Sequence, residues 1–297
     1  MILTVGDSVC WGQGLIEEHK FDALFAEAKG MAFSRAAHSG AVIGSQTDSS
    51  NEVENGEVPV ASPSDWQQVL EQRDWTQVDL VLLNGGINDV GLTRILSPWT
   101  NPNQLNQWID QFCHQSMQQL LEAVAAKLTR PEAKIAVIGY YPILSGQSQF
   151  PSDDHFRMLL ELHGVATSSV ALKATLSPKD MIPSVVGNCL TFWKMSDIKL
   201  QAAVDGANAE LKTNICVFVK LPFTEENAMW APTPLLWELS PLLGPEDEVA
   251  STRSAVCEKI YGDVVHIPQW IQCVRASAGH PNVDGAAKIA AALEMIL

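Results

Sequence analysis

The run Val78-Asp79-Leu80-Val81-Leu82-Leu83 is apolar at every position but one. A short aliphatic and β-branched run without polar alternation reads as a strand buried on both faces, as in a parallel sheet. Runs at 2–5, 135–138 and 215–219 have the same character, and a weaker one lies at 31–33. The strong runs stop at Gly6, at Asn84-Gly85-Gly86, at Gly139 and ahead of Pro222, all turn or breaker residues. Helical patterns fall between them. Met117, Leu120, Leu121, Val124, Ala125 and Leu128 share one helix face, and Pro131 stops that helix. Val204, Ala207 and Leu211 line one side of 198–212, and Ile289, Leu293 and Ile296 do the same near the C-terminus. Strands alternating with helices predict right-handed βαβ units: an α/β fold whose parallel sheet is covered on both faces.

Two stretches, 145–196 and 222–268, interrupt the alternation. Both follow strand ends, and open α/β sheets bind ligands outside the carboxyl ends of their strands. They read either as walls or a lid over a site or as surface insertions. With no repeat, low-complexity tract or linker, residues 1–297 are expected to form a single domain.

Apolar residues make up 46% and charged residues 18%, which suits a large packed core. The net charge of −15 repels phosphate backbones and anionic membranes, so nucleic acid is not an expected partner. No apolar run is long enough for a membrane span. The chain as given reads as cytoplasmic, or as secreted or periplasmic with a leader removed upstream of Met1. None of the six cysteines forms a C-x-x-C pair, so no metal is expected. Cys257 and Cys273 are the best-placed pair for a disulfide, but buried free thiols are the preferred reading in a chain this large.

Four places carry chemistry. Gly6-Asp7-Ser8 follows the first strand, Ser39-Gly40 the weak second one, and Gly86-Ile87-Asn88-Asp89 the strand at 78–83; His280-Pro281 opens the last helix. If the first strand is central, the loops after its neighbours meet at the switch point of the sheet. Ser8, Gly40 and Asn88 then converge. A serine hydroxyl needs a base, and His is the usual one near neutral pH. The oxyanion that follows needs pre-aimed donors. The N–H groups of Ser8 and Gly40 and the side-chain amide of Asn88 are suited to that task.

These motifs resemble the blocks of the GDSL or SGNH hydrolases: Gly6-Asp7-Ser8 the first, Gly40 the second, Gly86-x-Asn88-Asp89 the third and His280-Pro281 the fifth. The resemblance runs from residue 6 to residue 281. It implies a flavodoxin-like three-layer α/β/α sandwich with a mainly parallel five-stranded sheet. It also implies a serine ester hydrolase (esterase or lipase) that needs no cofactor and acts on a small-molecule ester, with Ser8 as nucleophile, His280 as base and Ser8, Gly40 and Asn88 as oxyanion hole. Lipid or short- to medium-acyl esters are the expected substrates; a carbohydrate acetylesterase or a non-catalytic binding module are the alternatives. The chain departs from the pattern at Ser277, where the family has the triad Asp three residues before the His. The Ser277 main-chain carbonyl is the expected substitute in orienting His280. Asp263 and Asp284 are alternatives, although Asp284 suits the first turn of the last helix.

Asp7 and Asp89 read as structural supports, with Gly86. Trp11 and Gln13, just past the nucleophile, and Trp193, Trp230 and Trp237 are candidates for the substrate surface, with core packing as the other reading. His38 is a rival base on the loop of an oxyanion donor. Asp153, Asp154, His155, Glu161 and His163 lack the i, i+4 histidine spacing of a metal site and read as a solvated helix. A flavin is disfavoured because the loop after the first strand lacks phosphate-binding donors.

Overall fold

The computed structural model describes residues 1–44, 64–72, 74–165, 177–239, 246–262 and 267–297, without the side chains of 267 and 268. Five strands, β1 (Ile2–Val5), β2 (Phe33–Arg35), β3 (Leu80–Leu83), β4 (Lys134–Ile138) and β5 (Cys216–Val219), form one parallel sheet in the order β2-β1-β3-β4-β5. Ile2 sits opposite both Phe33 and Leu80, Leu83 opposite Val137, and Ile138 opposite Val219. All residues of β1 and β3 are buried, as their unalternating composition requires. The chain leaves β1 first for one edge and then, from β3 on, for the other. With right-handed crossovers this places the connecting helices on opposite faces. Helices α2 (Phe21–Lys29) and α12 (Val283–Ile296) pack on each other; α6 (Pro102–Ile109), α7 (Met117–Ala125) and α9 (Pro178–Leu211) form the other packed group. The reversal point lies between β1 and β3, where a doubly wound sheet opens a crevice.

The structure redraws several elements. The 34-residue helix α9 takes up the second half of the stretch 145–196. It starts from Pro178 behind a Ser177/Asp180 capping box. Pro183, which interrupts the helical pattern in the sequence, lies inside it. A proline there removes one backbone bond, and packing against α6 and α7 holds the helix together. Helix α7 is preceded by a π-helical segment, Asp110–Ser116, that continues from α6. Helix α8 (Asp153–Leu162) is not solvated all round: His155, Phe156, Leu159, Leu160 and Leu162 are buried.

The stretch 222–268 contributes helix α10 (Ala250–Tyr261) and an isolated antiparallel bridge from Leu236 to Pro281. The preference for free thiols fails for one pair. Cys257 on α10 and Cys273 on α11 (Ile267–Val274) form a disulfide, while Cys10, Cys113, Cys189 and Cys216 are buried thiols. Helices α10 and α11 share a small cluster of their own, separate from the main core. A cross-link suits a unit with so little apolar burial. No helix among the described residues is long and apolar enough to cross a membrane.

Candidate active site

Strand β1 delivers Gly6-Asp7-Ser8 to the crevice. Asp7 caps the short helix α1 (Ser8–Trp11), its Oδ1 accepting from Val9 N at 2.8 Å. Ser8 thereby becomes the first helical residue, and its N–H is one of those with no acceptor inside the helix. Asp7 is fully buried behind the serine, where it also accepts from the Tyr140 hydroxyl at 2.8 Å and Asn84 Nδ2 at 3.1 Å. Burial pushes its carboxyl pKa above the usual range, against these hydrogen bonds. Asp7 is thus a fixed anchor for the turn.

His280 reaches Ser8 from the other end of the chain. Its Nε2 lies 2.7 Å from Ser8 Oγ, and its Nδ1 lies 3.2 Å from the Ser277 carbonyl oxygen. A carbonyl only accepts, so Nδ1 carries the proton and Nε2 presents its lone pair to the serine hydroxyl. The same carbonyl accepts from His280 N at 2.9 Å, closing a tight turn. Trp237 braces that turn: its N–H donates to His280 O at 2.8 Å, and its carbonyl accepts from Gly279 N at 2.9 Å. Burial pulls the His280 pKa down to about 4, with a smaller downward push from Arg253 and opposing help from the Ser277 carbonyl. Asp284 is exposed in the first turn of α12, and the Ser277 carbonyl occupies Nδ1 instead. Asp263 lies outside the described residues.

Gly40 and Asn88 line the same pocket as Ser8 and His280. Asn88 stands in helix α4 (Ile87–Val90), launched by Gly86 at φ 115. A side chain at Gly86 is excluded by that φ and by Cys113 Sγ, 2.8 Å from where its Cβ would sit. Asn88 Nδ2 donates to Ala41 O at 2.8 Å, which fixes the amide and leaves its second proton. Asp89 accepts from Ile43 N at 3.0 and 3.1 Å, tying the Gly40 loop to α4. Burial raises its carboxyl pKa to about 6.

The cavity, about 150 Å³, has apolar walls from Leu92, Tyr141, Ile143, Leu159 and Leu162. Gln13, Gln272, Arg275 and His163 add polar groups. Gln13 is held by the Ser39 hydroxyl, which donates to its Oε1 at 2.5 Å. Burial, with the neighbouring His280, pulls His163 down to about 4, so it faces the pocket as a neutral ring. No group of three or more His, Cys, Asp or Glu side chains among the described residues is arranged to hold a metal ion.

The tryptophans expected at the pocket stand elsewhere. Trp11 lies beneath Lys20 Nζ, 3.9 Å from its ring centroid, and stacks beside His38. His38 does not line the pocket, and it is His280 that meets Ser8 Oγ. Trp193 is on α9 against Lys194, outside the pocket lining. Trp230 packs against Phe150 and His155, so the insertion aromatics hold the walls together without forming the inner surface. The pocket takes its apolar lining from Leu92, from Tyr141 and Ile143 after β4 and from α8, residues with no local motif. Two buried charges behind Ser277, Asp247 and Arg253, also escape sequence reading. Asp247 sits in the run Gly244-Pro245-Glu246-Asp247-Glu248, whose composition is that of a solvated loop.

The five-stranded parallel sheet flanked by helices is the fold of the SGNH hydrolases. An extracellular lipase from Streptomyces rimosus superposes with a TM-score of 0.55 at 15% identity, covering 100% of this chain and 99% of that one. Phospholipase A1 from Streptomyces albidoflavus gives 0.45 at 15% identity over 83% of this chain and 90% of that one. A carbohydrate esterase family 2 enzyme with a carbohydrate-binding domain, from Corynascus thermopiles, gives 0.44 at 14% identity over 99% and 64%. No family model and no curated protein matches the chain.

Proposed function

We propose that this protein is a serine ester hydrolase working through an acyl-enzyme. The observation that carries the reading is the continuous contact from Ser8 Oγ to His280 Nε2 and from His280 Nδ1 to the Ser277 carbonyl. Ser8 Oγ attacks the ester carbonyl carbon as its proton passes to Nε2. The oxyanion forms beside the N–H groups of Ser8 and Gly40 and the second proton of Asn88 Nδ2. The imidazolium protonates the departing alcohol. Water then attacks the acyl-enzyme, giving its proton to His280, and the acid leaves with Ser8 restored. The imidazolium is stabilised by a carbonyl dipole where the usual triad has a carboxylate.

The wall residues and the cavity size support a short acyl group. A cavity of about 150 Å³ lined by aliphatic side chains is benzene-sized. That size favours acetyl to about hexanoyl esters over long acyl chains. Ser8→Ala is expected to lower hydrolysis of p-nitrophenyl butyrate by at least about 10⁴-fold with the fold retained. A fluorophosphonate is expected to label wild-type Ser8 and leave the variant untouched. Undiminished turnover by Ser8→Ala would overturn the reading.

A further inference from the structure

Ser277 does more than present a carbonyl. It is completely buried, and its hydroxyl donates to Asp247 Oδ2 at 2.5 Å. Asp247 is paired in turn with Arg253: Nη1 donates to Oδ1 at 3.0 Å and Nη2 contacts Oδ2. Both side chains are wholly buried. Arg253 Nη2 also reaches Ser277 Oγ at 3.2 Å, and Nε and Nη2 reach the Val274 carbonyl at 3.4 Å each. The peptide turn that holds His280 is thus grasped by a buried ion pair whose members lie 30 and 24 residues before Ser277.

The neighbouring residue grasps the nucleophile side. Glu248 N donates to Gly14 O at 3.1 Å, and Glu248 Oε2 accepts from Ile16 N at 3.1 Å. Gly14 itself presses on Ser277: a Cβ at position 14 would lie 2.8 Å from Ser277 Cβ. Asp247 and Glu248 therefore touch the loop that leaves the Ser8 helix and the turn that carries the base.

A buried ion pair is a poor source of net stability, because desolvating two charges offsets their attraction. What it does well is fix geometry, since an Arg fork and a carboxylate define each other's position. We infer that Asp247 and Arg253 are positioning residues for the base: by holding the Ser277 hydroxyl they aim the Ser277 carbonyl at His280 Nδ1 and keep the imidazole in line with Ser8. This rests on the proposed Ser8–His280 chemistry. Neither residue touches substrate.

The test uses two variants of the full chain. Ser277→Ala removes only the hydroxyl that Asp247 holds. Asp247→Asn with Arg253→Met removes both charges together, leaving no unpaired ion to unfold the protein. In each, kcat on p-nitrophenyl butyrate and the fluorophosphonate labelling rate of Ser8 are expected to fall about tenfold or more, because misplacing a catalytic group by an ångström costs up to about a hundredfold. KM is expected to stay within about twofold, since the pocket walls are untouched. Combining all three changes is expected to cost no more than the larger of the two effects, as befits one chain of contacts. Wild-type kcat and labelling rate in folded Ser277→Ala overturn the inference while leaving the hydrolase reading intact. Equal losses in kcat and in folded fraction, with the labelling rate per folded molecule unchanged, reduce the pair to a structural staple and also overturn it. A wild-type protein that the fluorophosphonate does not label at Ser8 removes both readings together.

Discussion

His280 illustrates how far one side chain's behaviour follows from its surroundings. An imidazole in water titrates near 6.5, but here burial disfavours the cation and the pKa falls to about 4. The groups facing the ring do little to reverse this. Ser8 and Ser277 offer a hydroxyl and a carbonyl, His163 across the pocket is itself neutral, and behind the turn the charges of Asp247 and Arg253 oppose each other. As the proposed base, His280 must be unprotonated, so activity is expected above the folded pKa and is expected to be lost as pH falls through it. The acid limb of kcat/KM is therefore expected near pH 4, with a flat profile from about 5.5 to 8. A rate profile on a short p-nitrophenyl ester, with the ester's own hydrolysis subtracted, measures it; an acid limb near 6.5 would mean that water reaches the ring freely. A triad carboxylate at position 277 would raise this pKa by stabilising the cation. The carbonyl gives weaker support and permits turnover in more acidic solution.

Among the elements, the α10–α11 pair differs from the rest in having little core of its own. The Cys257–Cys273 disulfide closes a loop with a sequence separation of 16, which in the chain-entropy account stabilises by about 3 kcal/mol. Cys257 is one turn beyond Arg253 on α10, and Cys273 immediately precedes Val274, whose carbonyl Arg253 reaches. Loosening this pair should therefore disturb the His280 turn before it disturbs the sheet. The double change Cys257→Ser with Cys273→Ser is expected to lower kcat about tenfold at a temperature where far-UV circular dichroism is unchanged. Loss of ellipticity in step with activity would show that the pair unfolds with the whole. The elements differed in how readily the sequence revealed them. Strands β1, β3 and β4 were legible because burial on both faces forces an apolar run, and β5, half-buried at Val217 and Phe218, because its residues are β-branched or aromatic. The candidates Ser8 and Asn88 were legible because each follows such a strand in a short local pattern, whereas Gly40, after the weak β2, and His280, ahead of the last helix, were legible through the motif resemblance. Helix α9 was only half legible, since Pro183 interrupts the pattern that packing later restores. Asp247 and Arg253 were not legible at all. Their meaning comes from contacts of a loop and helix α10 with the Ser277 turn, and a charge in a Pro- and acid-rich stretch reads as solvated until its partner is known.

At the scale of the whole molecule, the net charge of −15 hides several acids that do not behave as surface acids. Burial raises Asp89 and Asp197 to about 6, and raises Asp7 and, most strongly, Asp65. An acid whose folded pKa is raised binds more protons folded than unfolded, so it destabilises progressively as pH climbs from its unfolded pKa to its folded one. His163 and His280 act oppositely: the unfolded chain binds their protons below 6.5, so stability rises with pH between about 4 and 6.5 and then stops changing. Carboxylates held low by partners, such as Glu17 and Asp79, lose their contribution only at lower pH. From pH 5 to 8 the raised carboxyls of Asp7, Asp65, Asp89 and Asp197 therefore oppose the histidine gain. Asp65 makes the argument separable. Both of its carboxyl oxygens are buried without a hydrogen-bond partner among the described residues, and Asp7 and Asp89 add like-charge repulsion. Asp65→Asn keeps the shape of the neutral acid and cannot ionise. Its melting temperature is expected to match wild type near pH 4 and to exceed it by a margin that grows as pH rises toward 8. A constant difference across that range would mean that Asp65 has the same pKa folded as unfolded, and that the stability profile must be assigned to other groups.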